Sequence, residues 1–189
     1  MLVAVVALPW LSGFHADAVA DHPTRAVTGE LAEWGTPDDD CVASAYGGLA
    51  LDRGTTRVVA SFSQGVFVLG SDHQLIARAP GFECTGSADE LVALATGEAW
   101  VGTPLVALAA TVGGRAESVT WLSLYRVNDT GGLEPVFTGD VERHANHETR
   151  TGTVTIIPGG LIYHDPEGPT SIWTYDGTRY VEQGTFPAA

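Results

Sequence analysis

From Arg57 to the C-terminus the chain alternates short β-branched or aromatic runs with glycine, asparagine or aspartate, a rhythm that favours antiparallel strands. RVVASF, GVFVLG and QLIARA begin at Arg57, Gly65 and Gln74, separated only by SQ and SDH, which is the spacing of a meander. LVALAATV, 105–112, is an unbroken apolar run closed by Gly113 and Gly114, and VTWLSLYRV, 119–127, is rich in aromatic and β-branched residues. Both are predicted central strands. NDTGG at 128–132 predicts a turn, and LEPVF after it a returning strand.

One segment competes with this pattern. Ser87 and Glu90 have capping-box spacing, and Gly97 sits where a helix would end, so residues 88–96 are predicted as a short helix in competition with a buried strand. The expected fold class is therefore all-β: antiparallel meanders and hairpins forming a sandwich or small barrel of roughly nine to twelve strands, with at most one short helix near 88–96. A propeller-like array is the alternative. VASFSQGVFVLGSDHQLIARA, from Val59, and VTIIPGGLIYHDPEGPTSIWTY, from Val154, both run strand, glycine turn, strand, acidic loop, strand.

Two hairpins can be placed residue by residue. In SIWTYDGTRYVE, Asp176-Gly177 fits a two-residue type I′ turn, which would set Tyr175 opposite Thr178, Trp173 opposite Tyr180 and Ile172 opposite Val181. VERHANHETR, 141–150, places two histidines, two glutamates and two arginines in ten positions. A helix there would have only Val141 and Ala145 to bury, and a single strand would point the histidines to opposite faces. A hairpin with Ala145, Asn146 and His147 as its loop puts His144 opposite Glu148, Glu142 opposite Arg150 and Val136 opposite Ile156. The same tip supplies the one metal candidate, His144, His147 and Glu148 with water as a fourth ligand. The order H-x-x-H-E departs from the zinc-protease motifs, so a solvated hairpin tip is the simpler reading.

Charge restricts the partners. Nine Lys+Arg, all of them arginine, face 23 acidic residues for a formal net charge of -14. A chain without a basic patch forgoes phosphate neutralisation, which excludes nucleic acid and disfavours an anionic membrane surface. Without lysine there is neither a P-loop lysine nor a Schiff base, and no nucleophile elbow, H-E-x-x-H or dinucleotide-binding motif occurs. No catalytic residue and no cofactor is assigned. The His164-Asp165 dipeptide lacks an adjacent activated Ser or Cys, and the Asp38, Asp39, Asp40 run is a solvated loop before it is a Ca²⁺ site.

The first twenty residues combine an apolar run from Leu2 to Leu11 with Ala16, Ala18 and Ala20, as in a secretory signal, although no basic residue precedes Arg25. The competing reading is a hydrophobic first strand broken at Pro9; the run is too short to span a membrane. Cys41 and Cys84 are the only cysteines. Together with the signal-like start they predict one disulfide, and secretion or a periplasmic location. The chain thus divides into 1–20, signal peptide or first strand, a loop-rich entry at 21–56, and an antiparallel β-domain at 57–189. Functionally, the expectation is a non-catalytic exported domain that binds a protein or a surface polymer. The alternatives are a hydrolase using clustered carboxylates or a histidine-bound metal, and a structural module of a larger β-array.

Overall fold

The computed structural model describes residues 10–12, 15–16, 51–53, 56–61, 65–69, 75–80, 89–98, 104–127 and 133–187. Cys41, Cys84, the aspartates at 38–40 and the turn at 128–132 lie outside the described residues, and so does most of the 21–56 segment. Among the described residues there are strands and turns but no helix. They are β1 (Leu11–Ser12), β2 (His15–Ala16), β3 (Leu51–Arg53), β4 (Thr56–Ser61), β5 (Gly65–Leu69), β6 (Leu75–Ala79), β7 (Glu90–Glu98) and β8 (Pro104–Gly113). There follow β9 (Glu117–Val127), β10 (Leu133–Ala145), β11 (Glu148–Thr151), β12 (Thr153–Ile157), β13 (Gly160–His164), β14 (Thr170–Tyr175) and β15 (Tyr180–Phe186).

These strands make three sheets. Sheet C has the order β3-β4-β5-β6, sheet B the order β11-β10-β9-β8-β7-β2, and sheet A the order β1-β12-β13-β14-β15. All pairings are antiparallel except β1 with β12. The two look-alike segments from Val59 and Val154 both form consecutive antiparallel strands, β4 to β6 and β12 to β14. No sheet closes into a barrel among the described residues.

The sheets stack with B in the middle. On β8, Leu105, Ala107 and Ala109 join a core with Val154, Ile156, Leu161, Tyr163 and Tyr180 of sheet A. The intervening Val106, Leu108 and Ala110 join a second core with Val58, Ala60, Val66, Val68 and Ala79 of sheet C. Successive residues of a strand point to opposite faces, so β8 must be apolar at every step; that is why LVALAA shows no alternation. Phe137 of β10 anchors sheet B on sheet A, its ring 5.3 Å from both Tyr163 and Trp173 and edge-on to each. This arrangement suits the aromatic quadrupoles.

The segment predicted as a helix is strand β7. It pairs with β8 from Glu90↔Thr111 to Glu98↔Pro104, with an irregularity between Leu91 and Ala93. Local capping signals amount to about 1 kcal/mol, which a nine-residue strand ladder against β8 outweighs. Asp89, buried, accepts a hydrogen bond from the Gly113 amide at 2.8 Å, so the polar residue before the strand ties β7 to the far end of β8.

Both hairpins form, in registers other than the predicted ones. Tyr175 pairs with Tyr180, Trp173 with Glu182 and Thr174 with Val181, so the 176–179 connection has four residues rather than two. The cause is the Asp176 side chain. Its Oδ1 accepts from the Thr178 hydroxyl at 2.7 Å, the Thr178 amide at 2.8 Å and the Arg179 amide at 2.9 Å, closing a wider turn in which only Gly177 has positive φ, 99°. Those donors, the Thr178 hydroxyl first, hold the Asp176 carboxyl down at about 2. The wider turn also puts Tyr180 into the core.

Candidate functional site

The tip of the β10-β11 hairpin is tighter than predicted. Ala145 pairs with Glu148, His144 with Thr149, Arg143 with Arg150 and Glu142 with Thr151, leaving Asn146 and His147 as a two-residue loop. Both have positive φ, 52° and 67°, the signature of a type I′ turn. Hence Glu142 does not face Arg150, nor His144 Glu148. Val136 and Ile156 share a core but sit in different sheets, because Gly152 ends the hairpin and carries the chain into β12.

Of the metal candidates, His144 has its Nδ1 3.2 Å from the Thr149 hydroxyl, His147 occupies the turn, and the Glu148 carboxylate lies 3.7 Å from Arg150. No group of three or more His, Cys, Asp or Glu side chains with metal-site spacing occurs among the described residues.

What the tip does assemble is an ion-pair cluster. Arg143 bonds Asp140 Oδ2 at 2.6 Å and Glu167 at 3.0 Å, while Arg150 reaches Glu167 at 3.5 Å. The hydrogen bond to Asp140 raises the affinity of the Arg143 guanidinium for its proton. Around them is a shallow polar cleft of about 120 Å³ lined by Arg143, Ala145, Asn146, Glu148, Arg150 and Glu167. Two carboxylates, Glu148 and Glu167, do enter one cleft, but both are exposed and both contact arginine. Carboxyl pairs that split acid and base roles need one member in an apolar pocket, and neither has one.

His164 and Asp165 serve the structure next to this cluster. His164 Nδ1 is 3.0 Å from the Thr170 hydroxyl; Asp165 Oδ1 accepts the Glu167 amide at 2.8 Å, and its Oδ2 lies 3.0 Å from the Tyr163 hydroxyl. Tyr163 also donates to the Asp140 carbonyl at 2.9 Å. Burial first, then the Asp165 hydrogen bond, pushes the Tyr163 phenol well above its ordinary range.

The feature that sequence reasoning missed is a whole face. On sheet A, Val154, Ile156, Leu161, Tyr163, Trp173 and Tyr180 point toward sheet B. Strand alternation sends their neighbours outward in three cross-strand rows of four: Thr153, His164, Thr170, Phe186; Thr155, Ile162, Ile172, Gly184; and Ile157, Gly160, Thr174, Val181. No Asp, Glu or Arg stands in any row. Charged residues make up 17% of the chain, so about two charges would be ordinary for a dozen positions. Ile157, Ile162, Ile172 and Val181 are only partly covered, and Phe186 is 53% exposed. The pattern T-x-T-x-I, G-x-I-x-H and T-x-I-x-T is visible in the sequence at 153–157, 160–164 and 170–174, but only the register shows that these residues coincide.

Compared with known proteins, the chain matches no family model, no curated protein sequence and no solved structure.

Proposed function

We propose that this is a non-catalytic, exported β-domain that binds a protein partner through the outer face of sheet A. The observation that carries the reading is the absence of charge from that face in a chain of net charge -14. A surface of Thr, Ile, Val and Phe, with two glycines and His164, loses little on desolvation and gains from burial, as interface cores do. A protein is favoured over a polysaccharide because sugar rings stack on rows of aromatics, and this face has Phe186 alone.

From strand spacing the face measures on the order of 350 Å², whereas a standard interface needs about 800 Å² per partner. The partner therefore reaches beyond the face, and the outer edge of β15, unpaired among the described strands, is the adjoining surface with main-chain groups to offer. Export is part of this proposal and is supported by the apolar first residues and the alanines after them.

The test is a charge placed in the middle of the face. Ile172→Glu should leave the circular dichroism spectrum unchanged and abolish retention of the partner that the immobilised unmodified chain captures from its own host's extracellular fraction. Equal retention by both proteins would reject the face as the binding surface. A structural module of a larger β-array is the second reading, favoured by one observation: strands from both ends of the described chain, β1 and β15, belong to the same sheet.

A further inference from the structure

At the β12 edge of sheet A lies a segment from the far end of the chain. Leu11 and Ser12 pair in parallel with Val154 and Thr155, the one parallel pairing among the described strands. The Val154 amide donates to the Trp10 carbonyl at 2.6 Å, and the Ser12 hydroxyl donates to that of Thr155 at 3.0 Å. Trp10 and Leu11 are 9% and 8% exposed and belong to the core between sheets A and B. Three residues past Ser12, His15 and Ala16 pair with Glu98 and Gly97 on β7. Residues 10–12 and 15–16 are therefore two halves of a strap, one at an edge of sheet A and the other at an edge of sheet B.

The strap is joined in sequence to the remaining described strands through residues 17–50, and among the described residues it is held by short main-chain pairings, the Ser12–Thr155 hydrogen bond and two plugged side chains. A sheet edge beside an apolar slot is the arrangement by which β-sheets recruit extended peptides: backbone bonds give affinity and the slot gives selectivity. We propose that the β12 edge, with the slot that Trp10 and Leu11 fill, is a strand-accepting site. The chain's own residues hold it in cis. In trans it takes an extended, uncharged segment presenting a bulky aromatic, then an aliphatic, then a hydroxyl side chain. The occupant's chemistry follows from the site: Val154 offers an amide to a carbonyl, the core accepts an indole and a branched alkyl group, and the Thr155 hydroxyl accepts a donor one residue later.

The tether makes the cis strand hard to displace, since a linked segment acts at an effective concentration of about millimolar. Ala18 and Ala20 follow the strap directly, so cleavage after either would remove the tether while leaving the pairings, which end at Ala16 with Gly97, intact. That link to processing rests on the export reading; the accepting site does not, and it adjoins the outer face at Thr155 alone.

The experiment uses the full chain with a protease recognition sequence inserted after Ala20, purified folded and then cut. The probe is a fluorescent peptide of residues 8–16, LPWLSGFHA. The cut protein should exchange its fragment for the peptide saturably and one to one, a peptide with Trp10→Ala should bind about tenfold more weakly, and the uncut chain should take up the probe on the order of 100-fold less. No uptake by the cut protein, uptake indifferent to Trp10→Ala, or equal uptake by the uncut chain would each overturn the proposal. If cutting unfolds the domain, recovery of its β-sheet circular dichroism on adding the peptide supports the site, and failure to recover counts against it. N-terminal sequencing of protein from the host decides the export reading separately.

Discussion

The Gly152 amide donates to the Val141 carbonyl at 2.9 Å, at the point where the chain leaves sheet B for sheet A. A side chain has no room there: a Cβ on Gly152 would clash with the His164 carbonyl oxygen and lie 2.8 Å from Pro166 Cδ. Gly152→Ala is expected to destabilise the protein by about 3 kcal/mol, the upper end of overpacking costs, measured as a lowered urea midpoint with unchanged slope. A loss below 0.5 kcal/mol would mean that the transition between sheets is loosely packed.

The opposite sign is expected at the hairpin tip. His147 holds φ of 67°, a conformation that costs a residue with a Cβ about 1 kcal/mol or more, while Asn at the preceding position tolerates it. His147→Gly completes an Asn-Gly type I′ turn and should stabilise by about 0.5 to 1 kcal/mol. His144→Ala, which removes one exposed contact to Thr149, should stay within about 0.5 kcal/mol. Thermal denaturation of both variants checks this, and elemental analysis alongside tests the His144, His147, Glu148 metal reading directly.

Much of the strand pattern was legible in the sequence because each strand announces itself locally. β4 to β6, β8, β9 and the ribbons around 146 and 177 all fall where β-branched runs and turn residues place them. Register was not legible. It was decided by the reach of the Asp176 carboxylate over three donors and by two residues, rather than three, closing the tip at 146–147. Strand β7 was misread because Ser87-x-x-Glu90 is a local signal, whereas its pairing with β8 is a tertiary one. The uncharged outer face escaped for a similar reason: its rows join residues from four strands, and only pairing brings them together.

Alkali should weaken the fold. Burial pushes the Tyr180 phenol up to about 12, and Tyr163 is shifted in the same direction. A phenol whose folded value exceeds its unfolded value of about 10 stabilises fully below pH 10, and that contribution disappears as pH rises through the folded value. Unfolding free energy should therefore fall between about pH 10 and 12, by on the order of 2 kcal/mol for Tyr180. Tyr180→Phe should flatten that part of the profile in urea titrations; an unchanged slope would place the titrating group elsewhere.

Asp89 is buried, and its carboxylate takes the Gly113 amide where Gly113 adopts φ of 126°. Asp89→Ala leaves that amide without this acceptor and should cost about 1 to 3 kcal/mol. Hydrogen exchange should show the loss first as faster exchange at Gly113 and its neighbours in the β8-β9 turn.

Strand β8 of sheet B has a dry surface on each side, which bears on how the molecule comes apart. A central strand with no wetted side cannot survive the departure of either neighbouring sheet without presenting an alanine- and leucine-rich ribbon to water. Opening therefore involves all three layers at once, in a single transition. The amides of β8 should exchange only through global unfolding and rank among the slowest in the chain.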